Sequence, residues 1–570
     1  MPFDGAAGEV VGPPVVALLD GLPMQNHELL AGRLEVDDPD GWEAGYEAKD
    51  RVHGTAMASL ILRGELDMAA APLARRLYVR PVLRPDPTDN YNARKHEHTP
   101  EDVLLIDLIH RAVKRICEGD AGGPPAAPTV RVINLSIGDD HRVFDRVMSP
   151  WARLLDWLAF KYRVLFVVSA GNDAGALTLA VPRDTLGGLT AQNRADHAFD
   201  HLLASSASRR LLAPAETING LTVGALHADR STPPQVAHRF DLFSAEGLSP
   251  ISRIGHGFRR AIKPDVLMPG GRILHRERFG ADPAQTVLET ITAAAAPGHR
   301  VAVPPLAGRP NTTAYCRGTS NAAALASRAA AQTYEVVEIL RQQSANALPT
   351  NHDAVLLKAL IAHGASWGTL ADTLLAKRPE LTEHVQKKDL VVRWLGYGPV
   401  DIGRSLECAA ERATLIGTGE LGVDKAQIFS VPLPPSLAGK LAWRRLTITL
   451  AWLSPVNPSH LTYRRAKLWV TPPQGELLVK RVNSVYDKAA QRGTLQHEIL
   501  EGESAVAFVD GARFECKVNC AADAGELAGT VPFALCVTLE VAPGVGVPIY
   551  EEIRSRISPP IQIQPNPQTS

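Results

Sequence analysis

Short apolar runs rich in β-branched residues alternate with amphipathic stretches from Val15 to about Tyr397. The runs lie at residues 15–19, 77–83, 130–138, 163–172 and 220–225. Apolar residues on both faces are typical of strands in a parallel sheet that is covered on both sides. Periodic apolar residues over 103–116 and 150–160 predict helices between the runs. We therefore predict an α/β fold in which helices flank a parallel sheet.

Beyond about residue 425 the pattern changes to β-rich runs separated by Pro, Gly and Asn turns. These runs lie at 446–453, 466–471, 512–518 and 532–541. They predict an all-β domain, either a sandwich or jelly-roll-like. We expect an α/β domain with insertions over residues 1–415, the β domain over 425–557, and a flexible tail over 558–570.

Charge and cysteine content exclude several classes of protein. Lysine and arginine total 60 and aspartate and glutamate total 61, so no nucleic-acid or acidic-membrane partner is expected. The N-terminus lacks the basic and apolar regions of a secretory signal, and an apolar run of about 18 residues is missing elsewhere. The six cysteines show no paired framework and no CxxC spacing. We expect a cytoplasmic protein.

Four polar residues stand where predicted strands end or predicted helices begin. Asp20 follows the first apolar run, and Asn172 closes a later one. His53 opens a helical stretch, and Ser320 opens an Ala-rich one. A serine hydroxyl becomes nucleophilic when an imidazole takes its proton, and a carboxylate orients that imidazole. We predict Asp20, His53 and Ser320 as a catalytic triad, with the Asn172 amide as an oxyanion donor.

The order Asp, His, Asn, Ser, with HGT, SAGN and GTS around the last three, resembles the subtilase family of serine peptidases (peptidase family S8). Further similar segments are INLSIG at 133–138, LTVGA at 221–225, KPDVLMPGG at 263–271 and LGYGPVD at 395–401. The resemblance covers residues 13–405 and implies a subtilisin-like sheet. It also implies an endopeptidase that hydrolyses protein or peptide substrates through an acyl-enzyme.

The resemblance also implies roles for residues around the triad. Ser136, Ile137 and Gly138 would form a strand that pairs with extended substrate. Ala170 and Gly171 would wall the specificity pocket. No cofactor is predicted; calcium binds many subtilases, but the sequence assigns no site to it. The segment NHELLAG after the Asp strand resembles a bacterial intracellular subgroup, which implies an ATPase as a protein partner.

Three features depart from the family pattern. The usual Asp-Ser/Thr-Gly is replaced by Asp20-Gly21-Leu22, which removes a hydrogen-bonding neighbour of the carboxylate. Ala324 stands where a proline is usual. The 148 residues from Asn172 to Ser320 exceed what a minimal subtilase needs, so insertions are expected there.

The insertions are expected around 182–210 and 272–312, and the polar stretch 84–101 is predicted to be another on the surface. The departures leave two alternatives open. One is a catalytically silent subtilase fold that serves as a binding or regulatory module. The other is a peptide ligase, in which an amine instead of water resolves the acyl-enzyme.

Other residues of reactive types have plainer interpretations. His27 follows Asp20 closely but lacks a helix of small residues behind it, so local hydrogen bonding is expected. His96 and His98 could ligate a metal, but without a third ligand they are expected to be solvated. A structural role is expected for two further acids and three cysteines: Asp107, Asp265, Cys316, Cys516 and Cys520.

Overall fold

The computed structural model describes residues 9–232, 238–243, 247–278, 284–343, 348–471, 480–481, 492–504, 506–556 and 562–563. Within these ranges an α/β part precedes a strand-rich part. The strands of the α/β part are β1 (Val16–Asp20), β2 (Leu34–Val36), β3 (Leu77–Pro81), β4 (Arg84–Pro85), β5 (Glu97–His98), β6 (Val132–Leu135), β7 (Asp139–Val143), β8 (Leu165–Ser169), β9 (Leu177–Leu179), β10 (Leu212–Ala213), β11 (Leu221–His227), β12 (Arg239–Phe240), β13 (Gly247–Leu248), β14 (Val266–Pro269), β15 (His275–Glu277), β16 (Thr286–Thr290), β17 (His299–Ala302) and β18 (Thr313–Cys316).

The helices of this part are α1 (Val52–Arg63), α2 (Leu105–Cys117), α3 (Pro150–Tyr162), α4 (Ala191–Ala204), α5 (Thr319–Gln343), α6 (Asp353–His363), α7 (Gly368–Ala376), α8 (His384–Leu395) and α9 (Ile402–Leu406). The strand-rich part contains β19 (Arg412–Leu421), β20 (Ala426–Pro432), β21 (Ala442–Trp452), β22 (Ala466–Val470), β23 (Lys480–Arg481), β24 (Leu495–Ser504), β25 (Arg513–Ala522), β26 (Val531–Val541), the helix α10 (Ile549–Arg554) and β27 (Gln562–Ile563).

The central sheet has the strand order β13-β11-β8-β6-β1-β3-β2, and β14 also pairs with β11. All of its pairs are parallel except β11 with β13. Every residue of β1, β6 and β8 is buried, which accounts for their continuous apolar sequences. Since β1, β6 and β8 are parallel neighbours, their carboxyl ends meet at one edge. The predicted parallel sheet flanked by helices is confirmed.

The flanking helices pack in pairs, α1 with α5 and α2 with α3. Ser149 caps α3 by accepting a hydrogen bond from the Ala152 N–H (3.0 Å), and Pro150 occupies the first helical position. Ala324 is fully buried within α5, which also packs against β6, β8 and β11. Small buried side chains let this helix approach the sheet closely. None of the helices in the described ranges is both long and apolar enough to cross a membrane.

The segment 182–210 is not a surface insertion throughout. Its helix α4 buries Ala198, Phe199 and Leu202, and the Phe199 ring packs on Trp394 with centroids 5.8 Å apart. Three apolar residues among many polar ones gave only a weak helical period, so the buried face was missed.

The strand-rich part consists of two antiparallel sheets, β23-β24-β21-β26-β19-β27 and β20-β25-β22. Both sheets contribute to one apolar core, in which the rings of Phe429 and Phe533 meet edge-on with centroids 6.0 Å apart. The predicted all-β character is confirmed, and its first strand begins at Arg412. The predicted tail, 558–570, lies outside the described residues except for β27.

The two parts are joined through α6, in which all 11 residues are buried. His497 Nε2 lies 3.0 Å from the Ala365 carbonyl, which can only accept, so this nitrogen donates. In the neutral form, His497 Nδ1 accepts from the Thr449 hydroxyl (2.7 Å), and His363 Nδ1 donates to Thr449 (2.7 Å). His363 Nε2 then accepts from Thr538 (2.6 Å). Each hydrogen bond in this chain has one donor and one acceptor when both imidazoles are neutral.

Burial places the pKa of both histidines below the ordinary value. Burial, followed by the neighbouring His497, lowers the pKa of His363 well below 6.5. Burial lowers the pKa of His497 to about 4, although its hydrogen bond to Ala365 opposes the change. If either ring gained a proton, a nitrogen that now accepts a hydrogen bond would become a donor and would face another donor. A hydrogen bond between the two parts would then be lost.

We expect acid to destabilise the junction of the two parts. Because the folded-state pKa values lie below the unfolded value of 6.5, their stabilising contribution is full above that pH and is lost as pH falls toward 4. Each histidine should contribute a slope of about 1.4 kcal/mol per pH unit. Thermal unfolding between pH 7.5 and 5 should show a shallower decline in His497→Gln than in the wild type. Equal slopes would contradict the assignment, and the exposed His384→Gln is the control.

Candidate active site

Asp20 and His53 form a hydrogen-bonded pair at the end of β1. Asp20 is fully buried, and its Oδ1 accepts from the Gly21 N–H (2.7 Å) and from His53 Nδ1 (2.7 Å). His53 is the second residue of α1, whose small residues Gly54, Thr55 and Ala56 are buried behind it. With Nδ1 donating to the carboxylate, Nε2 is left to accept a proton. This is the arrangement of a general base and the group that orients it.

The surroundings of His53 favour its protonated form. Burial lowers the pKa of the imidazole, but the charge of Asp20, the hydrogen bond to Asp20 and the charge of Glu97 together raise it to about 9. A base of this strength requires a pH high enough to leave the imidazole neutral before it can take a proton.

Ser320 is the second residue of α5, and its hydroxyl donates to the Ser136 carbonyl (2.8 Å). In the part of the chain that the structure describes, the Ser320 hydroxyl makes no hydrogen bond with His53. The Ser136 hydroxyl in turn lies 3.2 Å from the Ser320 carbonyl and 2.9 Å from Asn134 Oδ1. These hydrogen bonds join the residue after β6 to the first turn of α5. Nucleophile and base often align only when substrate is bound.

Asn172, which follows β8, is tied to the start of α5. Its Oδ1 accepts from both the Thr319 N–H (2.9 Å) and the Thr319 hydroxyl (3.0 Å). A backbone N–H can only donate, so the tethered atom is the oxygen, and Nδ2 remains a donor. A Cβ built on Gly318, whose φ is +142°, would lie 3.1 Å from Nδ2. The absence of a side chain at Gly318 therefore leaves room for the Asn172 amide.

The predicted substrate-binding residues flank this site. Ser136 to Gly138 follow β6 and lie outside the described strands. A Cβ on Gly138 would lie 3.5 Å from Leu212 Cβ, and a Cβ on Gly171 would lie 2.7 Å from Leu212 Cγ. The Ala170 carbonyl accepts from the Leu212 N–H (3.2 Å). The predicted substrate strand and the predicted pocket wall thus meet one side chain, Leu212, which the sequence did not single out. Their role toward substrate, including that of Ile137, stays a prediction.

Several other candidates have structural partners. His27 Nδ1 accepts from the Leu29 N–H (3.2 Å), which is the local contact expected, but its Nε2 lies 2.9 Å from the carbonyl of Thr312, which is distant along the chain. Asp107 pairs with Arg111 on the surface (2.9 Å). Asp265 is buried and pairs with Lys263 (2.5 Å). These contacts agree with the structural roles expected for all three residues.

Cysteine thiols lie near the start of α5 and in the strand-rich core. Cys316 Sγ donates to Asn321 Oδ1 (3.4 Å), and Cys516 and Cys520 are buried in the strand-rich core. Over the described ranges no group of three His, Cys, Asp or Glu side chains could hold a metal ion. The expectation about calcium therefore gains no site from these residues.

Glu97 is a neighbour of His53 that the sequence did not reveal. Its Oε2 accepts from the His53 backbone N–H (2.8 Å), and its Oε1 lies 3.0 Å from the Tyr46 hydroxyl. The stretch around it was predicted to be a surface insertion, but Glu97 turns inward from the hairpin β4–β5. The sequence feature that could have indicated a neighbour here was Gly21, because the family pattern has a side chain with a hydroxyl at that position.

The profile of the subtilase family matches residues 13–398, which is more than half of the chain. The chain belongs to the subtilase family. The match includes the strand ends and helix starts that bring Asp20, His53, Asn172 and Ser320 to one edge of the sheet. A subtilisin-like hydrolase is the coarse description that this membership supports.

Individual relatives of this subtilase are distant. The uncharacterized protein y4bN of Sinorhizobium fredii (strain NBRC 101917 / NGR234) is 27% identical over 401 residues, which are 68% of this chain and 79% of that protein. The patellamide maturation protease PatA is 16% identical, with a TM-score of 0.35 over 69% of this chain and 96% of that one. A protease from Pseudoalteromonas arctica PAMC 21717 is 14% identical, with a TM-score of 0.37 over 69% and 88% of the two chains.

We expect Ser320 to react faster as pH rises. With the pKa of His53 raised to about 9, the neutral fraction of the base grows about tenfold per pH unit below that value and levels above it. Initial rates of labelling by a fluorophosphonate between pH 6 and 10 should follow this curve. A flat profile between pH 7 and 9 would contradict it. His53→Ala should remove the acceleration.

Proposed function

We propose that this subtilase is a serine endopeptidase that cleaves protein or peptide substrates through an acyl-enzyme. His53 Nε2 takes the Ser320 proton as Oγ attacks the scissile carbonyl. Asn172 Nδ2 and the Ser320 N–H donate to the oxyanion. His53 then gives the proton to the leaving amine, and water, deprotonated by the same imidazole, releases the acyl group.

The observation that carries this proposal is the tether between Asn172 and Thr319. Two hydrogen bonds from Thr319, the residue before Ser320, hold the Asn172 oxygen (2.9 and 3.0 Å), so the orientation of the amide is fixed before any substrate arrives. Donors fixed in advance stabilise a developing charge without reorganisation during the reaction. A fold used only for binding has no need of this pre-set amide.

One observation favours a second candidate, a catalytically silent binding module. The Ser320 hydroxyl donates to the Ser136 carbonyl (2.8 Å) and must turn away before it can reach His53. The turn is a change between staggered rotamers of one side chain, which is a small barrier. The peptidase proposal requires that substrate displace this hydrogen bond.

Ser320→Ala and His53→Ala test the nucleophile and the base. Wild-type protein should be labelled by a fluorophosphonate at Ser320, as located by peptide mass, and should hydrolyse an unstructured protein such as casein. Both variants should lose labelling, and hydrolysis should fall to the low residual level of an enzyme without its triad. Wild-type protein that takes up no label under any condition would favour the silent module. Products joined to an added amine would favour the ligase.

Asn172→Ala and Gly318→Ala test the oxyanion donor. Removal of Nδ2 should lower kcat by about 100- to 1,000-fold. Gly318→Ala should have a similar effect because its Cβ would lie 3.1 Å from Nδ2 and its φ of +142° is strained for alanine. Gly187→Ala is the matched control, since no atom lies within 4 Å of a Cβ there. A kcat of Gly318→Ala equal to that of the control would contradict the assignment.

A further inference from the structure

Glu97 lies at the junction between α1 and the residue after Asp20. It belongs to the short strand β5, and its side chain is partly buried. Its Oε2 accepts the His53 N–H (2.8 Å), one of the N–H groups in the first turn of α1. A carboxylate at this end of a helix satisfies a free donor and complements the helix dipole.

Tyr46 supports Glu97 from the other side. The Tyr46 hydroxyl lies 3.0 Å from Glu97 Oε1 and 2.8 Å from the Leu83 carbonyl, and it accepts from the Leu22 N–H (3.3 Å). Leu22 is two residues beyond Asp20. The hydroxyl thus connects the Glu97 carboxylate with the chain that leaves the Asp20 strand.

Gly21 leaves the space that the Glu97 carboxylate fills. A Cβ built on Gly21 would lie 1.9 Å from Glu97 Oε1 and 2.8 Å from its Cδ. The backbone of Gly21 does not have a positive φ, so its conformation suits any residue. The absence of a side chain at position 21 is therefore explained by Glu97.

The same position carries Ser or Thr in the usual subtilase pattern, where its hydroxyl neighbours the aspartate. In this chain Asp20 Oδ2 is buried and, among the described residues, has no hydrogen-bond partner. Where the usual pattern has a hydroxyl beside the aspartate, this chain instead has the Glu97 carboxylate beside the His53 backbone N–H.

We propose that Glu97 is a positioning residue of this active site, which replaces the missing side chain at Gly21 and holds His53 in place through its backbone N–H. The inference rests on the proposed function, since it concerns the same base. Glu97 acts on His53 in two ways, by the position of the first turn of α1 and by its charge.

The charge of Glu97 adds to that of Asp20. The titratable groups that face Glu97 are Asp20 from β1, His53 from α1 and Tyr46 from the loop between them. Burial raises the pKa of Glu97 to about 7, the nearby Asp20 charge raises it too, and the hydrogen bond from the His53 N–H opposes both. Above that pH Glu97 is ionised and favours the imidazolium form of His53.

Substitutions at Gly21 and Glu97 test whether Glu97 holds His53 in position. At pH 10, where His53 is largely neutral, Glu97→Ala removes the support and Gly21→Ser places a side chain against the Glu97 carboxylate, so each should slow fluorophosphonate labelling of Ser320 about tenfold or more. The double variant Gly21→Ser Glu97→Ala restores the hydroxyl that the family has at position 21 and relieves the clash. It should label faster than either single variant. A double variant as slow as the product of the two single effects would overturn the proposal.

A conservative change separates charge from position. Glu97→Gln keeps an oxygen for the His53 N–H but loses the charge. It should keep most of the labelling rate at high pH, and its acidic limb should move to lower pH because the pKa of His53 falls. Glu101→Ala, an exposed glutamate of the same insertion, is the control and should leave the profile in place.

Direct titration of His53 separates this proposal from the proposed function. The imidazole carbon-bound proton can be followed by NMR in wild type and Glu97→Gln whether or not Ser320 reacts. A lower pKa in the variant supports Glu97 as a neighbour that tunes His53. An unchanged pKa overturns that part, even for a protein whose Ser320 is labelled normally. Absence of labelling in the wild type, with the pKa shift present, would instead reject the peptidase proposal alone.

Discussion

The hydrogen bond between Asp20 and His53 (2.7 Å) is the constraint on which the site depends. It joins the buried end of a central strand to the first turn of a helix, so the imidazole cannot move independently of the sheet. Neighbouring parallel strands then bring the carbonyl of Ser136 and the amide of Asn172 to the same edge. The helix of Ser320 meets both of them there. A charged, fully buried acceptor needs such partners, since an unpaired carboxylate in this position would be costly.

The positions of the four candidate site residues could be predicted because each lies in a short local pattern at the boundary of an element. Glu97 could not, because its partner His53 is distant along the chain and nothing in a polar stretch indicates which side chain turns inward. His96 and His98, which lie beside it, are expected from the sequence to be solvated. The glutamate between them contacts the backbone N–H of His53. Gly21 was recognised as a departure from the family pattern, but only its spatial neighbour explains it.

The fold was predictable to a similar extent. Continuous apolar runs predicted the buried parallel strands, and alternating runs predicted the β domain. The junction through α6 was not foreseen, because a helix that contains Lys358 and His363 has the same sequence pattern whether those side chains face water or buried partners. In the structure Lys358 donates to the carbonyls of Ile218 and Asn219 and to the Thr494 hydroxyl (3.2, 3.0 and 2.7 Å). Polar partners that are distant along the chain compensate its burial, and burial lowers its pKa to about 7.

The chain of hydrogen bonds through His363 also affects the order in which the protein can fold during its synthesis. A ribosome makes a protein from its N-terminus, and the early segments of most chains can fold as they emerge. Here Asp20, His53 and Ser320 are made long before Thr449 and Thr538, which are the partners of His363. The helix that carries His363 cannot reach its final surroundings until Thr538 of β26 has been synthesised. Completion of the hydrolase part is thereby coupled to synthesis of the strand-rich part.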